Sequence, residues 1–344
     1  MRKLVPLVLI ISLFSVNALA YGPRGHKLVG AIADKRLARN RTVAKKVRDL
    51  LDGLTLAEVS TFPDEIKSWD GCRGNPSTTP VTSRQRINDE LRAFLEANPC
   101  SGDPTHHEFH FTDVPVTGDE AYDDGTVGRG KFDIVQMIPF CVRVLRGEEP
   151  ETNDRGITKS VAVILLAHYL GDIHQPLHVG AEFFDRDGVP FQPSTSNLGF
   201  ADQGGNKLVL FTLVNRTLTS AGKLHGYWDS KTVDNAFGNQ SDASVARSLA
   251  ARQPVGWKLT GDSETWAEKM ADGILPLARE ARTRLMYQNI EIVSGARDIR
   301  SGEAKEKRPR PGQSFYSRWA ADVVKREIHK GGWRLAALLE KTLE

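Results

Sequence analysis

Apolar positions recur three and four residues apart over most of the chain, the spacing that gathers side chains on one face of a helix. The stretches HKLVGAIADKRL, TVAKKVRDLLDGL, residues 88–97, KFDIVQMIPFCVRVLRG, SVAVILLAHYLGDI, SETWAEKMADGILPLAREARTRLM and WAADVVKREIHKGGWRLAALLEKTL all read this way. One stretch, residues 207–214, alternates instead and predicts a strand, half of a small hairpin. Segments rich in Pro, Gly, Ser and Asp predict loops at 71–82, 99–105, 180–205 and 300–313, the last carrying Lys and Arg as a solvated surface. No internal repeat interrupts this order. The expectation is a mostly α fold, a single helical domain with one small β-hairpin and a long loop near its middle.

The first twenty residues belong to a different pattern. Arg2 and Lys3 precede a short apolar run, and the stretch closes on Ala18-Leu19-Ala20. A basic start, an apolar body and small residues before the cut describe a secretory leader. The run is shorter than the roughly 20 apolar residues a spanning helix needs. Residues 1–20 therefore read as a signal peptide and 21–344 as the mature domain, secreted or periplasmic, with no membrane partner. Losing Arg2 and Lys3 lowers the formal net charge from +3 to +1. Such a balance argues neither for nor against a nucleic-acid partner, so function has to be read from local sites.

Three cysteines remain. Cys72 and Cys100 sit in polar, loop-like surroundings and form a candidate disulfide in an exported chain, while Cys141 lies in an apolar stretch and reads as a buried thiol. With so few thiols, any zinc must be held by histidine and carboxylate, which leans away from a structural finger and towards hydrolytic chemistry.

The histidines carry that lean further. Val161, Ile164, Leu165, His168 and Asp172 stand at offsets 0, 3, 4, 7 and 11, so His168 and Asp172 point inward with three core residues. A buried carboxylate without a partner costs several kcal/mol as an order of magnitude, so Asp172 needs an imidazole partner or a metal, and this element alone leaves both open. His225 and Asp229 repeat the spacing in KLHGYWDS, and His178 adds a third imidazole just past Pro176. Two such pairs and a neighbouring histidine point to a site for more than one metal ion. Asp64, His110 and His26 mean little alone. His26 gains interest from its place five residues from a new amino terminus, whose amine can bind metal through nitrogen. His106 and His107 read as polar-loop residues, His174 as a hydrogen-bonded helix end and His329 as part of a C-terminal helix.

YGPRGH, FPDEIK, HFTDVP, HYLGDIHQPLHVG, GGN and LHGYWD, in that order, resemble the motifs of the trinuclear-zinc, single-strand-specific nucleases of moulds, plants and bacteria, the type I nucleases related in fold to zinc phospholipase C. The resemblance covers nearly the whole mature chain. It implies one zinc on Asp64, His110, His168 and Asp172 and another on His178, His225 and Asp229. A third would lie on the amine and carbonyl of Tyr21, on His26 and on Asp172, which bridges two of the ions. It also implies Asn206 on the phosphate and Phe111 with Asp113 around the base. The activity implied is hydrolysis of single-stranded DNA and RNA to 5′-phosphate products by a hydroxide that three Zn2+ ions help to generate, with 3′-nucleotides as further substrates and a monomeric enzyme. Asp64, Asp172 and Asn206 would serve the chemistry directly. Two features depart from the family. Tyr21 stands where tryptophan is usual, and residues 179–203, with Phe183, Phe184, Asp185, Arg186 and Asp187, are long enough for a lid, a substrate wall or a plain insertion. A phospholipase C-type phosphodiesterase is the alternative enzyme, and a secreted zinc-binding protein without catalysis the alternative class. No HExxH occurs to suggest a metallopeptidase.

Overall fold

The computed structural model describes residues 21–344 except Arg73. The leader expected at 1–20 lies outside them. Helices dominate: α1 Gly22–Leu37, α2 Arg41–Leu50, α3 Leu56–Val59, α4 Phe62–Glu65, α5 Gln85–Ala97, α6 Ile134–Arg146, α7 Lys159–Asp172, α8 Leu224–Gly226, α9 Thr232–Phe237, α10 Asp242–Ala251, α11 Trp266–Thr283 and α12 Tyr316–Leu343. The mostly α expectation holds.

Helix α7 is the axis of the molecule. Every residue from Ser160 to Asp172 is buried, as an all-round apolar helix must be, and α1, α3, α5, α6 and α12 pack around it. Its start is fixed by the Thr158 side chain, which accepts from the Val161 amide. Asp133 caps α6 in the same way, and Gly147, at φ 77°, ends it in the left-handed conformation that glycine adopts without steric cost. One continuous apolar cluster runs from Tyr21 to Leu343, so the helices share a single core.

The β structure is larger than the sequence suggested. Strands β1 Val114–Pro115 and β2 Gly180–Ala181 pair in parallel, and β3 Phe183–Phe184 pairs with β4 Phe200–Ala201. The expected hairpin is present as β5 Leu208–Val214 and β6 Thr217–Lys223, turning through Asn215 and Arg216, both at positive φ as a tight two-residue turn requires. It belongs to a four-stranded sheet of order β6-β5-β8-β7, with β7 Leu285–Glu291 and β8 Ser301–Glu306. The helix expected to run through Met286 thus stops at Thr283, and the loop expected at 300–313 begins with a strand. Pattern reading missed both for a physical reason. The inward positions of β8 are Gly302, Ala304 and Glu306, and only Leu285 of β7 is buried, so neither strand alternates apolar with polar.

Residues 179–203 are anchored at both ends and exposed at the tip. Phe183 and Phe184 are buried, Asp185 accepts from the Asp187 and Val189 amides to close a turn, and Val189 and Leu198 face solvent. The two phenylalanines therefore serve packing. Cys72 and Cys100 are joined by a disulfide and Cys141 is a buried thiol, as expected.

Candidate metal centre

Four elements deliver side chains to one buried region. From α7, His168 and Asp172 are wholly buried, with Nε2 of His168 3.1 Å from Asp172 Oδ2. A short turn, Glu108–His110, brings His110, whose Nδ1 lies 3.0 Å from both His168 Nε2 and Asp172 Oδ2. Helix α4 supplies Asp64, 3.8 Å from His168 Nε2. Helix α1 supplies His26, which stacks on His168 at 3.9 Å between ring centroids and sets Nε2 3.3 Å from the other oxygen of Asp172. That approach explains the glycine in HYLGD. A Cβ on Gly171 would sit 2.6 Å from Nδ1 of His26, so any other residue there would push α1 off α7.

The second group lies beside the first. His178 ends the turn Pro176–His178, and its Nε2 is 3.0 Å from Nε2 of His225. His225 Nε2 lies 3.5 Å from Asp229 Oδ2. The four-residue spacing is kept, but α8 passes into a π turn, Tyr227–Lys231, rather than continuing as an α-helix. Such turns reset which side chains face inward. Tyr21 is fully buried at the same place: its backbone amide hydrogen-bonds the Asp229 carboxylate, and its phenol donates to the His174 carbonyl at 2.6 Å. The smaller ring is thus held by a polar anchor at its tip. His174 itself donates from Nδ1 to the Leu170 carbonyl, as expected for a helix end.

Which nitrogens are free decides what the cluster can bind. His168, His178 and His225 each direct Nδ1 at a backbone carbonyl, of Ser60, His110 and Gly204 respectively, at 2.7 to 2.8 Å. An N–H donated there leaves Nε2 bare on the neutral ring. The Nε2 atoms of His178 and His225 then face each other as two lone pairs, which only a cation between them reconciles. Both ring nitrogens of His26, Oδ1 of Asp172 and Oδ2 of Asp229 are buried without hydrogen-bond partners. These orphaned atoms, all nitrogen and oxygen, fit metal ions, and carbonyls fixing the far nitrogen are the usual outer support of metal-binding imidazoles.

Charge follows the same lines. Burial alone would raise the carboxyl of Asp172, but His168, His178 and His110 override it and hold it well below the usual carboxylate range. Asp64 is lowered likewise against its burial, by Lys67, His168 and His110. Burial, with His178 nearby, pushes the His225 imidazole down to about 3. Three sets of donors emerge, each with its ligand atoms within 4.8 Å of one another: His26, His168 and Asp172; Asp64, His110 and His168; and His178, His225 and Asp229.

The remaining candidates border this region. Asn206 follows Gly204 and Gly205; Gly204 takes φ +59°, and a Cβ there would lie 2.4 Å from the Leu177 carbonyl, so the GGN turn can press against His225 only as glycine. Phe111 and Asp113 lie on the extended segment leaving His110, two apart and hence on one side, with buried Thr112 on the other. Burial, then Asp202 and Asp298, pushes the Asp113 carboxyl up to about 7. Two residues escaped pattern reading. Lys67 pairs with Asp64 at 2.7 Å, a signal present as the three-residue spacing in PDEIK, and Gln175 donates to Asp229 Oδ1 at 2.9 Å. His106 was expected on a polar loop and is instead almost fully buried against Asp70.

A sequence profile described as S1/P1 Nuclease matches residues 21–344. Among curated proteins, the chain is similar to Endonuclease 5 of Arabidopsis thaliana, 24% identical over 272 residues covering 77% of this chain and 74% of the relative. Endonuclease 4 of the same plant is 26% identical over 259 residues, 74% and 69% of the two chains. Endonuclease 1 is 23% identical over 349 residues, spanning 98% and 92%. The chain belongs to the S1/P1 nuclease family and is a hydrolase of phosphodiester bonds.

Proposed function

We propose that this nuclease is an exported enzyme that cuts single-stranded DNA and RNA to 5′-phosphate products, also removes phosphate from 3′-nucleotides, and works with three zinc ions. One ion would be held by Asp64, His110, His168 and Asp172, one by His178, His225 and Asp229, and one by His26, Asp172 and the freed amine and carbonyl of Tyr21. The observation that carries this reading is Asp172, a fully buried carboxylate with imidazoles of His26, His110 and His168 around both of its oxygens. When bound, zinc ions supply an acidified water and positive charge for the departing oxygen. The chain's own residues do the rest. Lys67, little exposed beside Asp64, offsets phosphate charge, and the Asn206 amide donates to a phosphate oxygen. Phe111 offers its ring to an unpaired base, and Asp113 meets that base's polar edge. Stacking suits any base, whereas a duplex hides its base faces, so single strands are favoured. Export is supported by the disulfide and by the leader pattern, and no helix among the described residues is long and apolar enough to cross a membrane.

The test is a side-by-side digestion by mature, zinc-loaded protein of single-stranded DNA, duplex DNA and a phosphatidylcholine emulsion. The proposal expects rapid loss of the single strand, slow loss of the duplex and intact lipid. Lipid hydrolysis without DNA cleavage would assign the site to phospholipase chemistry.

A further inference from the structure

A second histidine–carboxylate cluster lies outside the centre just described. Asp70 Oδ2 stands 3.0 Å from Nε2 of His106 and 2.7 Å from Nε2 of His107. The three ligand atoms lie within 4.8 Å of one another. The other oxygen of Asp70 is already engaged, accepting from the Cys72 amide at 2.9 Å, so the carboxylate is oriented rather than free to swing. The Cys72–Cys100 disulfide joins the segment carrying Asp70 to the segment that leads into His106 and His107. Two adjacent imidazoles and one carboxylate are thereby preset on a cross-linked pair of loops. We infer that Asp70, His106 and His107 form a separate binding site for a borderline divalent cation such as Zn2+, held by two imidazole nitrogens and one carboxylate oxygen.

The chemistry suits such an ion. The cysteines beside the cluster are oxidised and offer no thiolate, which leaves a nitrogen and oxygen donor set of two imidazoles and a carboxylate. Asp70 and His106 are nearly sealed, with side-chain exposures of 2% and 1%, while His107 is 25% exposed and opens the cluster to water and to an entering ion. Burial and the neighbouring His107 push His106 down to about 4, so its ring is neutral and able to bind at ordinary pH. Donor atoms around a tetrahedral zinc stand about 3.3 Å apart, given zinc–nitrogen bonds of roughly 2.0 to 2.1 Å. Asp70 Oδ2 now stands 3.0 and 2.7 Å from the two nitrogens, so binding needs the carboxylate oxygen to draw back from both rings by about 0.3 to 0.6 Å. Lys67 is the adverse charge nearby, since its ammonium contributes to lowering His106, but it is paired with Asp64 at 2.7 Å.

The proposal does not depend on the three-ion reading of the main centre, because its test is a difference between variants. The full mature chain is loaded with zinc, freed of loosely held metal by dialysis, and analysed for zinc per chain by mass spectrometry. Wild type should hold one equivalent more than His107→Ala, and the two should digest single-stranded DNA within twofold of each other. Asp70→Asn should lose the same equivalent. Because Asp70→Asn removes a buried group and can impair folding, zinc titration of His107→Ala, with its circular dichroism compared with wild type, serves as the second measurement. It should show one class of site weakened by at least about tenfold. Equal zinc content and equal titrations in wild type and a folded His107→Ala would overturn the site. A loss of all bound zinc in that variant would overturn it too, since the clusters would not be separate.

Discussion

Replacing Asp172 with alanine tests the central geometry most sharply. Its two oxygens face different neighbours: Oδ1 lies 3.3 Å from His26, and Oδ2 lies 3.0 Å from His110 and 3.1 Å from His168. In the proposed arrangement it is the one side chain shared by two ions. Structural zinc sites bind with roughly 10 to 16 kcal/mol, which over four ligands is about 3 kcal/mol each. Removing the shared ligand therefore weakens each of two ions by about 3 kcal/mol, roughly a hundredfold or more in affinity apiece. Zinc analysis of Asp172→Ala after dialysis should show two ions lost together and the one on His178, His225 and Asp229 retained, with single-strand cleavage abolished. Asp172→Asn, which keeps volume and one oxygen, should lose less metal. Circular dichroism and the buried Trp228 fluorescence report whether the fold survives. A folded alanine variant that keeps all its zinc, or that loses only one ion, refutes the shared role.

Other perturbations have equally definite outcomes. His225 and His106 are held near 3 and 4 in the fold, against about 6.5 in an unfolded chain. Lowered histidines contribute fully above pH 6.5 and lose that contribution as pH falls towards 4, while raised carboxyls such as Asp113 act in the opposite sense, so the prediction is a difference. Between pH 6.5 and 4 the stability of metal-free wild type, read by urea midpoints, should fall more steeply than that of His106→Gln by about 1.4 kcal/mol per pH unit; equal slopes would refute it. Removing the Cys72–Cys100 bond, which closes residues 28 apart, should cost about 3 to 4 kcal/mol by loop entropy, measured as the denaturant midpoint of the double serine variant. Lys67→Ala should lower kcat by at least tenfold with little change in zinc content, because its ammonium sits at Asp64 without a donor role to metal. Unchanged turnover would remove Lys67 from the reaction.

How much of this could be read from the chain depended on whether a signal was local. His168 and Asp172 were legible because a helix fixes what faces what at a spacing of four, and three core residues mark the face. His225 and Asp229 were legible from the same spacing, although the backbone meets it through a π turn. Asp64, His110 and His26 come from separate elements, and nothing in their own neighbourhoods says that they converge; only the order of motifs along the chain suggested it. Strands β7 and β8 were invisible because β8 turns only small or polar residues inward and β7 buries only Leu285. His106 looked like loop surface because its burial depends on Asp70, thirty-six residues away, and on a disulfide that brings the two segments together. Gly171 and Gly204 entered only as members of the motifs HYLGDIHQPLHVG and GGN, and the packing of His26 and Leu177 gives each a steric reason.

The most direct test of the three-ion proposal is a crystal structure of the processed protein, beginning at Tyr21, with anomalous diffraction recorded on either side of the zinc absorption edge. Three peaks clustered among His26, Asp64, His110, His168, Asp172, His178, His225 and Asp229 are the expected result, one of them against the Tyr21 amine. A map with fewer than three peaks in that cluster, or with zinc only elsewhere on the molecule, would contradict it.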